Sequence, residues 1–555
     1  MSTAPDRPAP SLYLPLLFAA LALAAANLPY LLGVLWTPRG AHFTGLTYNA
    51  DDGAVYLSWI RQAMEGRLTL HNRFTTEPQH DLAFNLFFLL LGNIAHVLHL
   101  SPPVVYAGAR VVCGALLLAA TWRLVTTFLT DSRARLLAYV FVCCAAGFGF
   151  GSDFDPSAAY EQPIDRWQPE AITFLSLYYT PLFTAALALM SVWAASFYRA
   201  EQTGRIRDLV PALIAGLLIG NFHSYDILQL WAFAAAYRVV TDAAARRTNL
   251  GGWIRLALAG AAMLPTAGYQ FWAIQREAVF HARVFDTATL SPSLQWVLLG
   301  FGLPLLLAAL APFLPRARAG FAPNALRMLA VWAVVAVAIS YAPHVAFQRK
   351  LLMGAHLPLC LLAGASLAAL TSPLSGSLPA LVSVFAVLVT VPSNVRFLLR
   401  DTARLRANVG ATQYRPYLSA DEYAALDYLA HNARAGDAVL VCPDMRGSLL
   451  PYLGVYVPAY SPASAYCAHW SETADFAGKL KQQTHFFRTD VGDDERAAFL
   501  AANPAIRYVL YAKNVKDGIT DAAGNTWGGA DFVQSPPAPL APVYENNTLV
   551  LFRVR

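Results

Sequence analysis

Long apolar runs separated by short polar stretches set the plan of the chain. They fall near 12–35, 104–128, 136–150, 171–198, 207–221, 226–240, 253–274, 294–314, 325–342, 351–370 and 378–398. A helix of about 20 apolar residues matches the hydrocarbon thickness of a bilayer, and a helix satisfies its own backbone hydrogen bonds there. The pattern predicts a polytopic α-helical membrane protein with about 11 transmembrane helices. A further apolar run at 82–100 is interrupted by Asn85, Asn93, His96 and His99.

After residue 399 the pattern changes. It predicts a helix over 421–432, a strand over 438–441, a helix over 446–453 and a strand over 455–460. Helices near 472–487 and 493–502 follow, then a strand over 506–511 and a closing hairpin of 543–545 with 548–554 through Asn546-Asn547. Alternating strands and helices imply an α/β domain. The expected division is a membrane domain over 1–399, with long loops at 36–103 and 151–170, and an α/β domain over 400–555. The latter has no Gly-rich phosphate loop, nucleophile elbow or metal-ligand cluster, so it reads as a support or acceptor-binding module.

Charge orients the chain. Arg133/Arg135, Arg199/Arg205/Arg207, Arg246/Arg247 and Arg316/Arg318 occupy four short loops, and Arg7 precedes the first run. With 82–100 lying in the interface, all these groups share one side; with 82–100 spanning, the four loops part from Arg7, against the positive-inside rule. The run therefore reads as a surface or re-entrant helix. The N-terminus is then cytoplasmic, the first run an uncleaved anchor, and the C-terminal domain extracytoplasmic. The loops 36–103, 151–170 and 275–293, the His223–Asp226 turn and the Arg349-Lys350 pair share the outer face with that domain.

The 555 residues are 57% hydrophobic and only 13% charged, against about 25% charged in soluble domains. The net charge of +6 is an orientation signal, and no basic, aromatic-interleaved stretch points to nucleic acid. Cys113, Cys143, Cys144 and Cys360 lie in apolar segments, whereas Cys442 and Cys467 lie in the polar region, where spacing leaves a disulfide open. The abundance of Ala and Arg fits a bacterial source, so the expected location is the inner membrane, with a periplasmic or extracellular outer face.

The acidic pair Asp51-Asp52 is the feature with most chemical content. It opens a helix marked by Tyr56, Trp59, Ile60 and Met64, just after the first run. Adjacent carboxylates near a bilayer are costly unless used or neutralised. One can take a proton from a hydroxyl while the other orients it or holds a cation; Asp in a first helical turn also serves as a cap.

With these residues in view, the chain resembles the GT-C superfamily of polytopic glycosyltransferases, which take sugars from polyprenyl-phosphate donors. The resemblance rests on Asp51-Asp52-x3-Tyr56-x8-Glu65-Gly66, the interfacial run at 82–100, and the loop Gly151-Ser152-Asp153-Phe154-Asp155-Pro156. It rests also on Phe347-Gln348-Arg349-Lys350 followed by His356-Leu357-Pro358, and it covers roughly residues 10–400. It implies that Asp51 is the general base, with Asp52 assisting, and that transfer inverts the anomeric centre. Asp153 and Asp155 would bind acceptor or a divalent cation (Mg or Mn), or else serve as turn residues before Pro156. Arg349, with Lys350 and Arg110, would hold the lipid phosphate, or snorkel to the interface. His223 and Asp226 would bind sugar hydroxyls or a metal, or satisfy one another. Glu161, Asp165 and Glu170 read as ordinary loop residues, and Glu277, His281 and Asp286 lie in a lid-like segment. The implied partners are a polyprenyl-phosphate sugar, membrane lipids and a glycan, lipid or protein acceptor. Two other classes compete: a transporter or flippase with an acidic ion path, against which the acids lie in loops, and a noncatalytic scaffold that would tolerate loss of both Asp51 and Asp52.

Overall fold

The computed structural model describes residues 12–152, 155, 158, 160–409, 414–443, 452–520, 526–527 and 529–555. The chain forms two compact units, each drawn from three stretches of sequence. The first comprises Met1–Leu28, Gly108–Gln270 and Ala288–Arg400; the second comprises Pro29–Ala107, Phe271–Thr287 and Asp401–Arg555.

The chain is a polytopic, mostly helical membrane protein. Among the described residues, six helices are long and apolar enough to cross a bilayer, or up to eight when the bent pairs Leu250–Ala261 with Leu264–Arg276 and Leu378–Thr390 with Pro392–Ala407 each count as one span. The other expected runs also fold as helices, at Val210–Phe222, Asp226–Ala245 and Ala325–Ile339, shorter or less apolar than that test requires. The run 171–198 divides into Thr173–Tyr179 and Pro181–Thr203. Pro181 cannot continue the preceding turn, and the Thr180 hydroxyl caps the second helix by accepting from Leu182 N at 3.3 Å.

At the centre of the first unit lies the buried helix His356–Thr371. Small residues let neighbouring backbones approach it, which is how helices associate in lipid. A Cβ on Gly364 would stand 2.3 Å from the Ala138 amide nitrogen in the helix Ser132–Cys144.

In the second unit, the helix Ala50–Met64 packs against Leu86–Leu98. At 13 residues, Leu86–Leu98 is a short apolar helix, as is Ala325–Ile339 in the first unit. A Cβ on its Gly92 would meet Ile60 O at 2.5 Å, while Phe88 stacks on Tyr56 at 4.7 Å and contacts Trp59 at 5.3 Å. The five-stranded sheet runs in the order 464–465, 438–441, 506–512, 549–554, 540–545. Its first three strands are parallel, and the last two form an antiparallel hairpin closed on 506–512. Its core gathers Leu440, Phe486, Phe487, Val509, Tyr511 and Phe552. The helix Ala420–Asn432 starts with a reciprocal cap between Ser419 and Glu422.

One predicted element changes type. The strand expected over 455–460 is a 3-10 turn, Tyr452–Val455, followed by the helix Tyr456–Tyr460. Tyr452, Tyr456 and Tyr460 recur every four residues, so a helix places their rings side by side, with centroids 5.8 and 6.2 Å apart. The β-propensity of Val and Tyr loses to that packing. The helix expected over 446–453 falls largely outside the described residues. Cys442 and Cys467 are both buried, and Cys442 Sγ accepts the Ala512 N–H at 3.0 Å.

Candidate active site

Asn49, in the left-handed region at φ 43°, turns the chain into the helix Ala50–Met64 and puts Asp51 and Asp52 in its first turn. There the free backbone amides favour negative charge. The helix is anchored at its other end by Glu65, which pairs with Arg61 at 2.8 Å and Arg73 at 3.3 Å. The two carboxylates have different surroundings. Asp51 is buried, with 7% of its surface exposed, whereas the Asp52 side chain is 38% exposed.

His469, fully buried, brings its imidazole to this pair. Its Nε2 stands 3.3 Å from Asp52 Oδ1 and 3.9 Å from Asp51 Oδ2. The 3.3 Å approach is a charge contact off the ideal hydrogen-bond line. Burial pushes the Asp51 carboxyl up to about 6; His469 opposes that rise and the charge of Asp52 adds to it. For His469, burial works against the cation, but Asp52, Asp51 and Glu472 outweigh it and raise its pKa.

The turn carrying His469 is fastened to the same unit. Its backbone N–H and that of Ala468 donate to Thr473 Oγ1 at 3.2 Å, and the Thr473 hydroxyl donates to Phe74 O at 2.6 Å. Glu472 accepts from Arg283 at 2.8 Å and from Asn72 Nδ2 at 3.2 Å. The Arg283 guanidinium lies over Trp59, 5.4 Å from its centroid, on the helix that carries the acid pair. In the lid-like segment, Glu277 pairs with His80 at 2.8 Å, and His281 packs on Phe285 at 4.7 Å.

The first unit holds the other predicted residues. Arg349 lies over the rings of Tyr160 at 4.8 Å and Trp167 at 5.2 Å. Lys350 Nζ lies 4.5 Å from the centroid of Tyr225, whose ring also contacts His223 at 5.4 Å. His223 Nδ1 pairs with Asp226 Oδ1 at 2.9 Å, and both are buried. This brings His223, Asp226 and Lys350 together around Tyr225. Arg110 is buried elsewhere, its Nε donating to Asn27 Oδ1 at 3.2 Å. Asp155 is tied through its backbone to Gln162, at 3.1 and 2.9 Å, and Asp153 lies outside the described residues. Asp165, read from sequence as ordinary, is fully buried; it accepts the Gly149 N–H at 3.0 Å, and burial pushes it up to about 6. Among the described residues, no three His, Cys, Asp or Glu side chains converge as a metal site.

Sequence reading missed His469, Glu472 and Arg283. The available signal was local: a His-Trp-x-Glu cluster of polar and aromatic residues at 469–472 within a turn. Nothing in linear spacing joins 469 to 51.

No protein-family model matches the chain, and no curated protein matches it in sequence. Solved structures do match its fold. The chain is similar to ArnT from Cupriavidus metallidurans bound to undecaprenyl phosphate, with TM-score 0.52 and 13% identity over 98% of both chains. It is similar to the arabinofuranosyltransferase AftD from Mycobacteria, with TM-score 0.53 and 15% identity, over 98% of this chain and 40% of that one. It is also similar to the Archaeoglobus fulgidus oligosaccharyltransferase tethered with an acceptor peptide containing the NVT sequon. There the TM-score is 0.50 and the identity 11%, over 92% of this chain and 74% of that one. These are GT-C glycosyltransferases, and this chain shares their fold.

Proposed function

We propose that the chain is an inverting glycosyltransferase acting at the outer face of the cytoplasmic membrane, moving a sugar from a polyprenyl-phosphate-linked donor to an acceptor hydroxyl. The shared fold supports glycosyl transfer, and the carrying observation is the buried Asp51 beside the half-exposed Asp52 in one helical turn. In the proposed reaction the acceptor oxygen attacks the anomeric carbon and its proton passes to Asp51. The carbon–phosphate oxygen bond breaks on the opposite face, and the polyprenyl phosphate departs with the bonding pair. Asp52 sits next to the base and helps orient it. The cations Arg349 and Lys350 stabilise the leaving phosphate in this scheme, with the planar guanidinium of Arg349 suited to its oxygens; Arg110, buried against Asn27, is left out of it. His223, Asp226, Asp155 and Asp153 are proposed acceptor contacts. The membrane domain, 1–399, carries donor binding, and the extracytoplasmic domain, 400–555, supports the acceptor.

The test is sugar transfer from a panel of radiolabelled polyprenyl-phosphate sugars in reconstituted vesicles. Asp51→Asn is expected to lower turnover about 10²–10⁴-fold, the range for loss of a general base. Equal turnover in the native chain, Asp51→Asn and Asp52→Asn would refute the acid-pair mechanism.

A further inference from the structure

We propose that His469 is a positioning residue for the acid pair: its Nε2–H, set between Asp51 and Asp52, holds the pair in the ionised form that accepts a proton. This rests on the reading of Asp51 as base and goes beyond it, because it gives the C-terminal domain a part in the chemistry.

The tautomer follows from the other ring nitrogen. Nδ1 receives the backbone N–H groups of Ser471 at 3.2 Å and Glu472 at 3.3 Å. A nitrogen accepting two amide hydrogens has its lone pair turned toward them, so the ring hydrogen of the neutral imidazole is on Nε2. Nε2 is the atom 3.3 Å from Asp52 and 3.9 Å from Asp51. A second proton would have to enter at Nδ1, where the Ser471 hydroxyl, 3.3 Å away, is the acceptor at hand.

The charge arrangement calls for such a group. Adjacent carboxylates, one of them buried, resist ionising together. Facing His469 are the carboxylates of Asp51, Asp52 and Glu472; Glu472 is itself neutralised by Arg283. Tyr414 lies against the same turn, its hydroxyl donating to Ala468 O at 3.3 Å, and it feels the charge of Asp51. Through Nε2 the imidazole faces both carboxylates of the acid pair at once. It is also rigid: wholly buried, edge-on to Phe74 at 6.1 Å, and fixed through Thr473. Without it, burial and the charge of Asp52 act on Asp51 unopposed, and both favour the protonated carboxyl, which cannot act as base.

The experiment compares the full-length native chain with His469→Ala and His469→Gln in two measurements. The first is the pH profile of transfer, separated into kcat and KM. In His469→Ala the acidic limb should move up by about 1–3 pH units, the usual effect of removing a favourable partner from a carboxylate. Activity should return at alkaline pH, with donor KM little changed. His469→Gln, which keeps an N–H donor at similar reach, should stay close to native. The second measurement needs no turnover: infrared titration of the protonated-carboxyl band that Asp51→Asn removes, whose midpoint should rise by the same amount in His469→Ala. An unmoved midpoint, or a loss of activity equal at every pH, overturns the proposal. A shifted midpoint in a chain that transfers no sugar from any donor leaves the pairing standing and the glycosyltransferase reading refuted. Transfer lost in Asp51→Asn with no shift in His469→Ala refutes the pairing alone.

Discussion

Replacing Asp51 by Asn should make the protein more stable while disabling it. The Asp51 side chain is only 10% exposed, and burial pushes its carboxyl from 3.8 to about 6 despite the opposing His469. In the unfolded chain it titrates at about 3.9. Between those values the folded state binds more protons than the unfolded state, so this group's contribution to stability falls as pH rises from about 4 to about 6. At pH 8 the ionised side chain destabilises the fold by about 3 kcal/mol, taking roughly two units at about 1.4 kcal/mol each. Asn keeps the shape without the charge, but it loses the attraction to His469, worth about 1 kcal/mol. The expected net gain is about 1–2 kcal/mol at pH 8, shrinking toward zero or below at pH 4, where Asp51 is neutral in both states. Thermal unfolding of the detergent-solubilised chain at the two pH values measures it. A variant less stable than native at pH 8, or a difference independent of pH, would refute the reasoning. A destabilising carboxylate retained at a working position is the usual conflict between stability and activity.

The other predictions concern the first unit. Gly364→Val drives a side chain into the backbone of Ala138; overpacking of this kind costs about 1–3 kcal/mol or more, read as loss of monodisperse protein on size-exclusion chromatography. Asp165→Ala strips the acceptor from the Gly149 amide at 3.0 Å, and an orphaned buried donor costs about 1–3 kcal/mol, seen as a lower Tm. Arg349→Lys keeps the charge but loses the planar group stacked on Tyr160 and Trp167. Donor KM should rise about tenfold, or about 1.4 kcal/mol, with kcat nearly constant; a fall in kcat at unchanged KM would contradict a ground-state phosphate contact.

The sequence alone determined the class of molecule and the identity of its elements wherever one local force dominates. Apolar runs must become helices because lipid offers no partner to a free amide, and the hairpin ending in 549–554 follows from alternation and turn chemistry. The acid pair was legible for the same reason: charge beside a bilayer stands out against 57% hydrophobic composition. Local propensity failed at Tyr456–Tyr460, where ring packing at a spacing of four overrode it. It also ranked Asp165 as an ordinary loop residue, because burial is a property of the fold and not of the residue. Only the tertiary structure grouped 29–107, 271–287 and 401–555 into one unit and so set His469 beside Asp51 and Asp52, and Arg283 against Glu472. Those contacts join residues about 400 and 190 positions apart. Pairings so distant leave no periodic trace in the chain, since they follow from how packed surfaces close on one another rather than from any neighbour's side chain.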